Sequence, residues 1–351
     1  MLSRMAESLY WIGRYVERAE QTARLTEVTF RHTLVMGSTR EAETRRHRHW
    51  AALLDIVGER PAFTSDDPPD EQNVPGHLIF SSDNGNSIVE CIARARDNAH
   101  TMRHQMATEM WEALNRFHLD IQRPGRRRSA AANAERTSRF CRSIADFSHL
   151  LQGITDSTMP REEGWYFLQA GKFLERAEWT ARTVDVNYRL LVDGNGGGDG
   201  DDRLALVAAA RDPEPWGTLL RSLSAYESYH RIESRGVRPS AVIELLILSA
   251  VLPRSVRFSI GKVDAALAHI SEEAPGYNGS EPIPGSPSGS EARREAGRLH
   301  AEFTYQRLDD LLDRGLHASL LDIQRRCYRI GDRVEDEFFT HRTLRAQDAL
   351  T

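Results

Sequence analysis

The sequence predicts an all-α fold, a duplicated helical bundle whose two related halves pack around a pseudo-twofold axis. Three observations carry that expectation. A twelve-residue string occurs twice, Gly13-Arg-Tyr-Val-Glu-Arg-Ala-Glu-Gln-Thr-Ala-Arg24 and, 158 positions later, Gly171-Lys-Phe-Leu-Glu-Arg-Ala-Glu-Trp-Thr-Ala-Arg182. Such a self-match fixes the architecture before any local reading begins. Long stretches place apolar residues three and four apart, the helical period, and no stretch reads convincingly as a strand.

The first helix is the clearest element. Leu2, Met5, Leu9, Ile12, Val16, Ala19, Ala23, Thr26 and Phe30 form an a/d seam, which predicts a helix of about 30 residues packed lengthwise on its neighbours. Ala170, Leu174, Ala177, Ala181, Val184 and Tyr188 repeat the seam. Small alanines in both copies allow close helix approach, so a tight helix pair is expected. The same spacing predicts helices near 41–57, 86–118, 131–156, 204–211, 215–233, 239–251, 254–271, 291–314 and 317–340. Turn-rich stretches separate them at 58–76, 122–129, 193–202 and 273–290. Beyond the opening helices, Ile88-Val-Glu90 aligns with Val242-Ile-Glu244, and Arg103 with Arg257, at an offset of 154. The halves are then 1–157 and 158–340, forming one cooperative unit because each seam needs a partner.

Composition narrows the function. The 351 residues are 40% hydrophobic and 28% charged, as in a globular chain with a large core. The net charge of −5 supplies no broad positive field, so no nucleic-acid partner is expected. Arg126-Arg127-Arg128 reads as a solvated loop. The longest apolar run, Val242 to Leu252, is interrupted by Glu244 and Ser249 and falls short of a membrane span. Three scattered cysteines, Cys91, Cys141 and Cys327, have no metal-ligand spacing and suggest a reducing compartment. The opening residues carry charge and enter a helical pattern at once, unlike a signal peptide. The expected location is cytoplasmic.

Chemistry concentrates one position off the seam. Tyr10, Gly13, Glu17, Glu20 and Arg24 form a stripe, matched by Leu168, Gly171, Glu175, Glu178 and Arg182. The stripe is rotated about 100° from the seam and should face a second neighbour or a cleft. Glycine inside a helix costs about 1 kcal/mol relative to alanine, so Gly13 and Gly171 mark a close approach to the backbone. Glu20 and Arg24, like Glu178 and Arg182, have the favourable i,i+4 orientation. Glu17 and Glu175 have Gln21 and Trp179 at that spacing and read as the freer carboxylates. Convergence of the two Glu-x-x-Glu pairs would place four carboxylates and two arginines around one site. That site could take a basic peptide, an amine or a cation, or support acid–base chemistry. The alternative is a solvated face or an inter-helix ion network. The arginines and the absence of a Glu-x-x-His pattern argue against a di-metal site, and no metal or cofactor is assigned.

Other motifs carry less. His47 and His49 sit in an Arg-rich helix start, and His100 and His104 lack the Glu of a zinc-protease motif, so all four read as surface or core histidines. Asn195-Gly-Gly-Gly-Asp-Gly200 follows a helix and lacks the Lys-Ser/Thr of a phosphate loop, so it reads as a linker. No nucleophile elbow is present. Trp111 reads as a core anchor.

Met1-Leu-Ser-Arg-Met-Ala-Glu-Ser-Leu-Tyr-Trp-Ile-Gly-Arg-Tyr-Val-Glu-Arg-Ala-Glu20 resembles the opening signature of the bacterial alpha-E family. Asp97-Asn-Ala-His-Thr-Met-Arg103 with Glu109-Met-Trp-Glu-Ala-Leu-Asn115 is similar to its central motif, and Pro253-Arg-Ser-Val-Arg257 to its C-terminal one. The 97–101 string departs from the more Arg-Ser-like form expected there. The resemblance implies an all-helical protein whose motif glutamates are Glu17, Glu20, Glu175 and Glu178. It also implies partners: an ATP-grasp-like peptide ligase and a transglutaminase-like protein, in a peptide synthesis, tagging or modification system. The expected function is an accessory or substrate-presenting subunit that offers its Glu/Arg face to a peptide or to the ligase. The rivals are a carboxylate-centred hydrolase or transferase, cation-assisted in one version, and a purely structural scaffold. Geometry separates them: convergence of Glu17 and Glu175 on a pocket favours a site, carboxylates satisfied by arginine in a packed interface favour a scaffold, and an exposed stripe favours docking.

Overall fold

The fold is built around two long helices, α1 (Ser3–Leu34) and α7 (Glu163–Asp193), which pack against each other along their lengths. The structure, a computed structural model, describes residues 3–64, 67–104, 106–126, 133–193, 201–273 and 290–339. Among these no strand occurs. The loop predicted at 193–202 and the stretch at 273–290 lie largely outside the described residues, as do Leu2, Arg127 and Arg128.

On one side α1 packs on α4 (Ile88–Thr101) and α6 (Ala134–Thr158), with α5 (Thr108–Ile121) touching both of these. On the other, α7 packs on α12 (Val256–Glu273) and α15 (Leu316–Val334), and α13 (Glu291–Tyr305) touches both. A second, smaller core lies where α2 (Arg40–Val57) meets α1 and α7, around Leu25, Phe30, Trp50, Leu53, Leu54 and Trp179. The Thr39 hydroxyl accepts the Ala42 N–H at the start of α2, a cap worth about 1 kcal/mol. Gly58, at φ 83°, ends it in the left-handed conformation.

The remaining helices are α3 (Val74–Phe80), α8 (Asp202–Ala209), α9 (Glu214–Ser222), α10 (Tyr226–Ile232), α11 (Pro239–Leu248) and α14 (Leu308–Asp313). Several differ from expectation. The segment 86–118 is two helices, because the chain folds back so that Met110 and Leu114 of α5 join the buried core that holds Ala95 and Ala99 of α4. Arg96 of α4 then donates to Asn115 of α5 at 3.2 Å. The segment 215–233 breaks at Ser224, whose φ is 52°. The segment 291–314 breaks between Tyr305 and Leu308, and 317–340 ends in a π turn, Glu335–Phe339. Helix α3 runs on from a stretch read as turn.

The residues matched at an offset of 154 lie in unlike places. Ile88 opens α4 behind Ser87, whose hydroxyl accepts the Glu90 N–H, whereas Val242 and Glu244 lie inside α11. Ser255, 168 positions on from Ser87, likewise precedes a helix, α12, and its hydroxyl accepts the Phe258 N–H at 3.1 Å. Arg103 lies just beyond α4, while Arg257 is in the first turn of α12, so those two do not correspond.

No described helix is long and apolar enough to cross a membrane. The three cysteines are buried free thiols; burial pushes the Cys91 thiol up to about 12, which leaves it unreactive at neutral pH.

Candidate functional site

The stripe is an interface. Tyr10, Glu17, Glu20, Leu168, Glu175 and Glu178 are all buried, and the glycines set how closely the helices approach. A Cβ at Gly13 would lie 2.3 Å from the Leu168 carbonyl oxygen, and one at Gly171 would lie 2.1 Å from that of Tyr10. Each glycine therefore meets the backbone of the opposite helix, as its presence in both copies suggested.

Across this contact the two Glu-Arg dipeptides exchange partners. Arg176 donates to both oxygens of Glu17, through Nε at 2.7 Å and Nη2 at 2.6 Å. Reciprocally, Arg18 donates to both oxygens of Glu175, at 2.6 and 3.1 Å. Parallel two-point contacts of this kind fix geometry as well as charge. Gln21 donates to Glu17 at 2.7 Å, and Trp179 to Glu175 at 2.9 Å. Glu17 and Glu175 are thus not the freer carboxylates. The residues at i+4 are neutral donors, and the charges come from the other long helix and, for Glu17, also from Arg254.

The outer pair of glutamates follows the expected rule. Arg24 donates to Glu20 at 2.8 Å and Arg182 to Glu178 at 2.6 Å. Ser148 of α6 adds a hydrogen bond to Glu20 at 2.8 Å. A third arginine closes each knot. Arg14 bridges Glu175 and Glu178, at 2.6 and 3.1 Å. Arg254, in the loop before α12, bridges Glu17, at 3.1 Å, and Glu20. Lys172 occupies the place in α7 that Arg14 holds in α1, yet it pairs with no carboxylate at salt-bridge distance among the described residues. Its Nζ lies 4.5 Å from the centre of the Phe173 ring. Burial and the Arg176 guanidinium push its amine down to about 8.

The glutamates do not merge into one four-carboxylate site. They form two knots that share no partner, Glu17 and Glu20 with Arg24, Arg176 and Arg254, and Glu175 and Glu178 with Arg14, Arg18 and Arg182. Burial alone would raise the Glu17, Glu20 and Glu175 carboxyls, but the guanidiniums outweigh it. Arg18 and Arg14 hold Glu175 at about 2, and Arg254 and Arg24 hold Glu20 well below the usual carboxylate range. Such groups stay ionised at neutral pH and are poorly matched to proton transfer there. No group of three or more His, Cys, Asp or Glu among the described residues is placed to hold a metal ion.

Arg14, Arg18, Arg176 and Arg254 escaped the sequence reading. For Arg18 and Arg176 a signal was present: each follows its glutamate in both copies, and adjacent side chains on a helix point about 100° apart, so their charge had to be used elsewhere. Arg254 stands in the Pro253–Arg257 motif outside any helical period. Trp111 is partly buried against the core, between Arg96 and His100.

The depressed Glu175 carboxyl gives a pH signature. A folded pKa of about 2, against about 4.3 unfolded, contributes stability that is complete above the unfolded value and lost as pH falls toward 2. The urea midpoint of the wild type is expected to exceed that of Glu175→Gln at pH 7, with the gap closing between about pH 5 and 2. A gap unchanged down to pH 2.5 would contradict the assignment.

Residues 1–339 match the profile of Alpha-E, described as a predicted alpha-helical domain with a conserved ER motif. Similar proteins include two uncharacterized proteins of Mycobacterium tuberculosis and one of Mycobacterium bovis. Each is 26% identical over 349 residues, covering 91% of this chain and 36% of the relative. The chain therefore spans little more than a third of the length of these relatives. No solved structure matches it. Two of its Glu-Arg dipeptides, 17–18 and 175–176, form the reciprocal bridge between the long helices, and with the match running through nearly the whole sequence, the chain belongs to the Alpha-E family.

Proposed function

We propose that this chain is a non-catalytic accessory module of an ATP-grasp-associated peptide synthesis, tagging or modification system, in which the Glu/Arg residues are an internal lock and not a substrate face. The observation that carries this reading is the reciprocal exchange of Glu17–Arg176 and Glu175–Arg18 inside a packed interface. A carboxylate that holds two guanidiniums and is closed to water has little left to offer a peptide.

The reading includes the duplication. Residues 1–157 and 158–340 are two related helical repeats about a pseudo-twofold axis, cooperative because each supplies the arginine that the other's glutamate needs. The matching order of packing supports it: α1 lies on α4 and α6 with α5 against both of those, and α7 lies on α12 and α15 with α13 against both of those. The length of the mycobacterial relatives, in which the matched region stands beside a larger remainder, is consistent with a module that works beside other parts. The buried free thiols are consistent with a cytoplasmic setting. The partners would be the ATP-grasp-like ligase and the transglutaminase-like protein, engaged through outer surfaces.

Co-expression with the neighbouring ATP-grasp-like ligase tests the proposal. The expected result is co-purification and a change in ATP turnover with candidate peptides, retained in a folded Arg24→Gln/Arg182→Gln variant that alters only the partly exposed edge of the knots. Absence of both association and effect with the wild-type chain would overturn the accessory role. Amide hydrolysis or transfer by the chain alone, abolished in that variant, would restore the enzyme reading.

A further inference from the structure

A cavity of about 540 Å³ opens where α2 meets the end of α7 and the start of α9. It is far from the glutamate knots in sequence and uses none of their residues. Its size falls within the roughly 300–1,000 Å³ of small-molecule sites. Leu190, Pro215 and Trp216 give it apolar walls, and Arg45, Arg48 and His49 of α2 supply its polar side.

The charges around it are unequally satisfied. Glu214 accepts from Thr218 at 3.0 Å and lies 3.4 Å from Nδ1 of His32. Asp212 accepts the Glu214 N–H at 3.3 Å. Both acidic groups are thus engaged within their own wall. Arg45 and Arg48, three residues apart on one face of α2, make no hydrogen bond or ion pair with any described residue, whereas the adjacent Arg46 donates to the Gly37 carbonyl at 2.7 Å. The imidazole of His49 packs edge-on to His32, with ring centres 4.7 Å apart, and makes no hydrogen bond among the described residues. Two guanidiniums that make no ion pair with any described residue, and an imidazole with no hydrogen bond among them, stand beside apolar walls and suit an anion with an apolar body.

We propose that this cavity binds a small amphiphilic organic anion, its carboxylate or phosphate head held by Arg45 and Arg48 and its apolar body lying against Leu190, Pro215 and Trp216. Guanidinium groups suit both heads, which offer two oxygens in a plane. Burial, then His32 and Arg45, push the His49 imidazole down to about 4. A bound anion would reverse part of that effect and raise it. The inference stands apart from the accessory-module reading.

Isothermal titration with octanoate, octyl phosphate and uncharged octanol tests it. At least one anion is expected to bind with 1:1 stoichiometry and at least tenfold more tightly than octanol, and the stronger of the two identifies the head group. Arg45→Gln/Arg48→Gln should weaken that anion at least tenfold with the melting temperature unchanged, since both side chains are exposed. By NMR, the His49 titration should move upward on binding. The proposal is overturned if neither anion binds, if octanol binds equally well, or if the double variant or the His49 titration shows no change.

Discussion

Alanine at Gly13 and Gly171 together is expected to cost at least about 3 kcal/mol of stability, although each substitution improves helix propensity by about 1 kcal/mol. The new methyl carbons would stand 2.3 Å from the Leu168 carbonyl oxygen and 2.1 Å from that of Tyr10. These obstacles are backbone atoms in the opposite helix, which cannot rotate aside as a side chain would. Relief requires the long helices to separate, and separation stretches the 2.6 Å contacts of Arg176 to Glu17 and Arg18 to Glu175. The loss should therefore exceed the sum expected from crowding alone. Urea denaturation with circular dichroism measures it. A double variant as stable as the wild type would mean that the helices do not approach as closely as described.

Glu17→Ala should be comparably severe, at about 3–5 kcal/mol, because it leaves Arg176 buried without its carboxylate and Arg254 with Glu20 alone. The sharper test is a set of double-mutant cycles. Glu17 and Arg176 should couple by about 1–3 kcal/mol, whereas Glu17 and its sequence neighbour Arg18 should be nearly additive, since Arg18 serves Glu175. Strong coupling within the dipeptide and none across the helices would refute the exchange. An intact pair need not add net stability relative to apolar residues of the same shape. Its role here is to fix the register of two long helices, which sliding by one turn would break at every contact.

The amino-acid sequence revealed what repeats and what is local. Gly13 and Gly171 were legible because a costly residue stood in both copies, and the Glu20–Arg24 and Glu178–Arg182 pairs because i,i+4 spacing is decided within one helix. The partners of Glu17 and Glu175 were not, since an intrahelical spacing rule is silent about a charge delivered from another helix 158 residues away. The division of 86–118 was hidden for a related reason: apolar periodicity persists through the turn, and only the position of Met110 and Leu114 in the core requires the chain to reverse. Arg254 sits in a loop whose place is set wholly by tertiary packing.

The crossing of partners also bears on the order of events at the ribosome. When α1 has emerged, Glu17, Arg14 and Arg18 are already made, but their counter-charges on α7 follow some 160 residues later, and Arg254 later still. A nascent chain that carries α1 but not yet α7 holds charges whose partners are still to be made, so it gains little by burying α1 early. Completion waits for contacts of long sequence separation, the slow kind in chain folding. The reciprocal bridge thus works as a completeness check: a truncated product cannot seal its own centre.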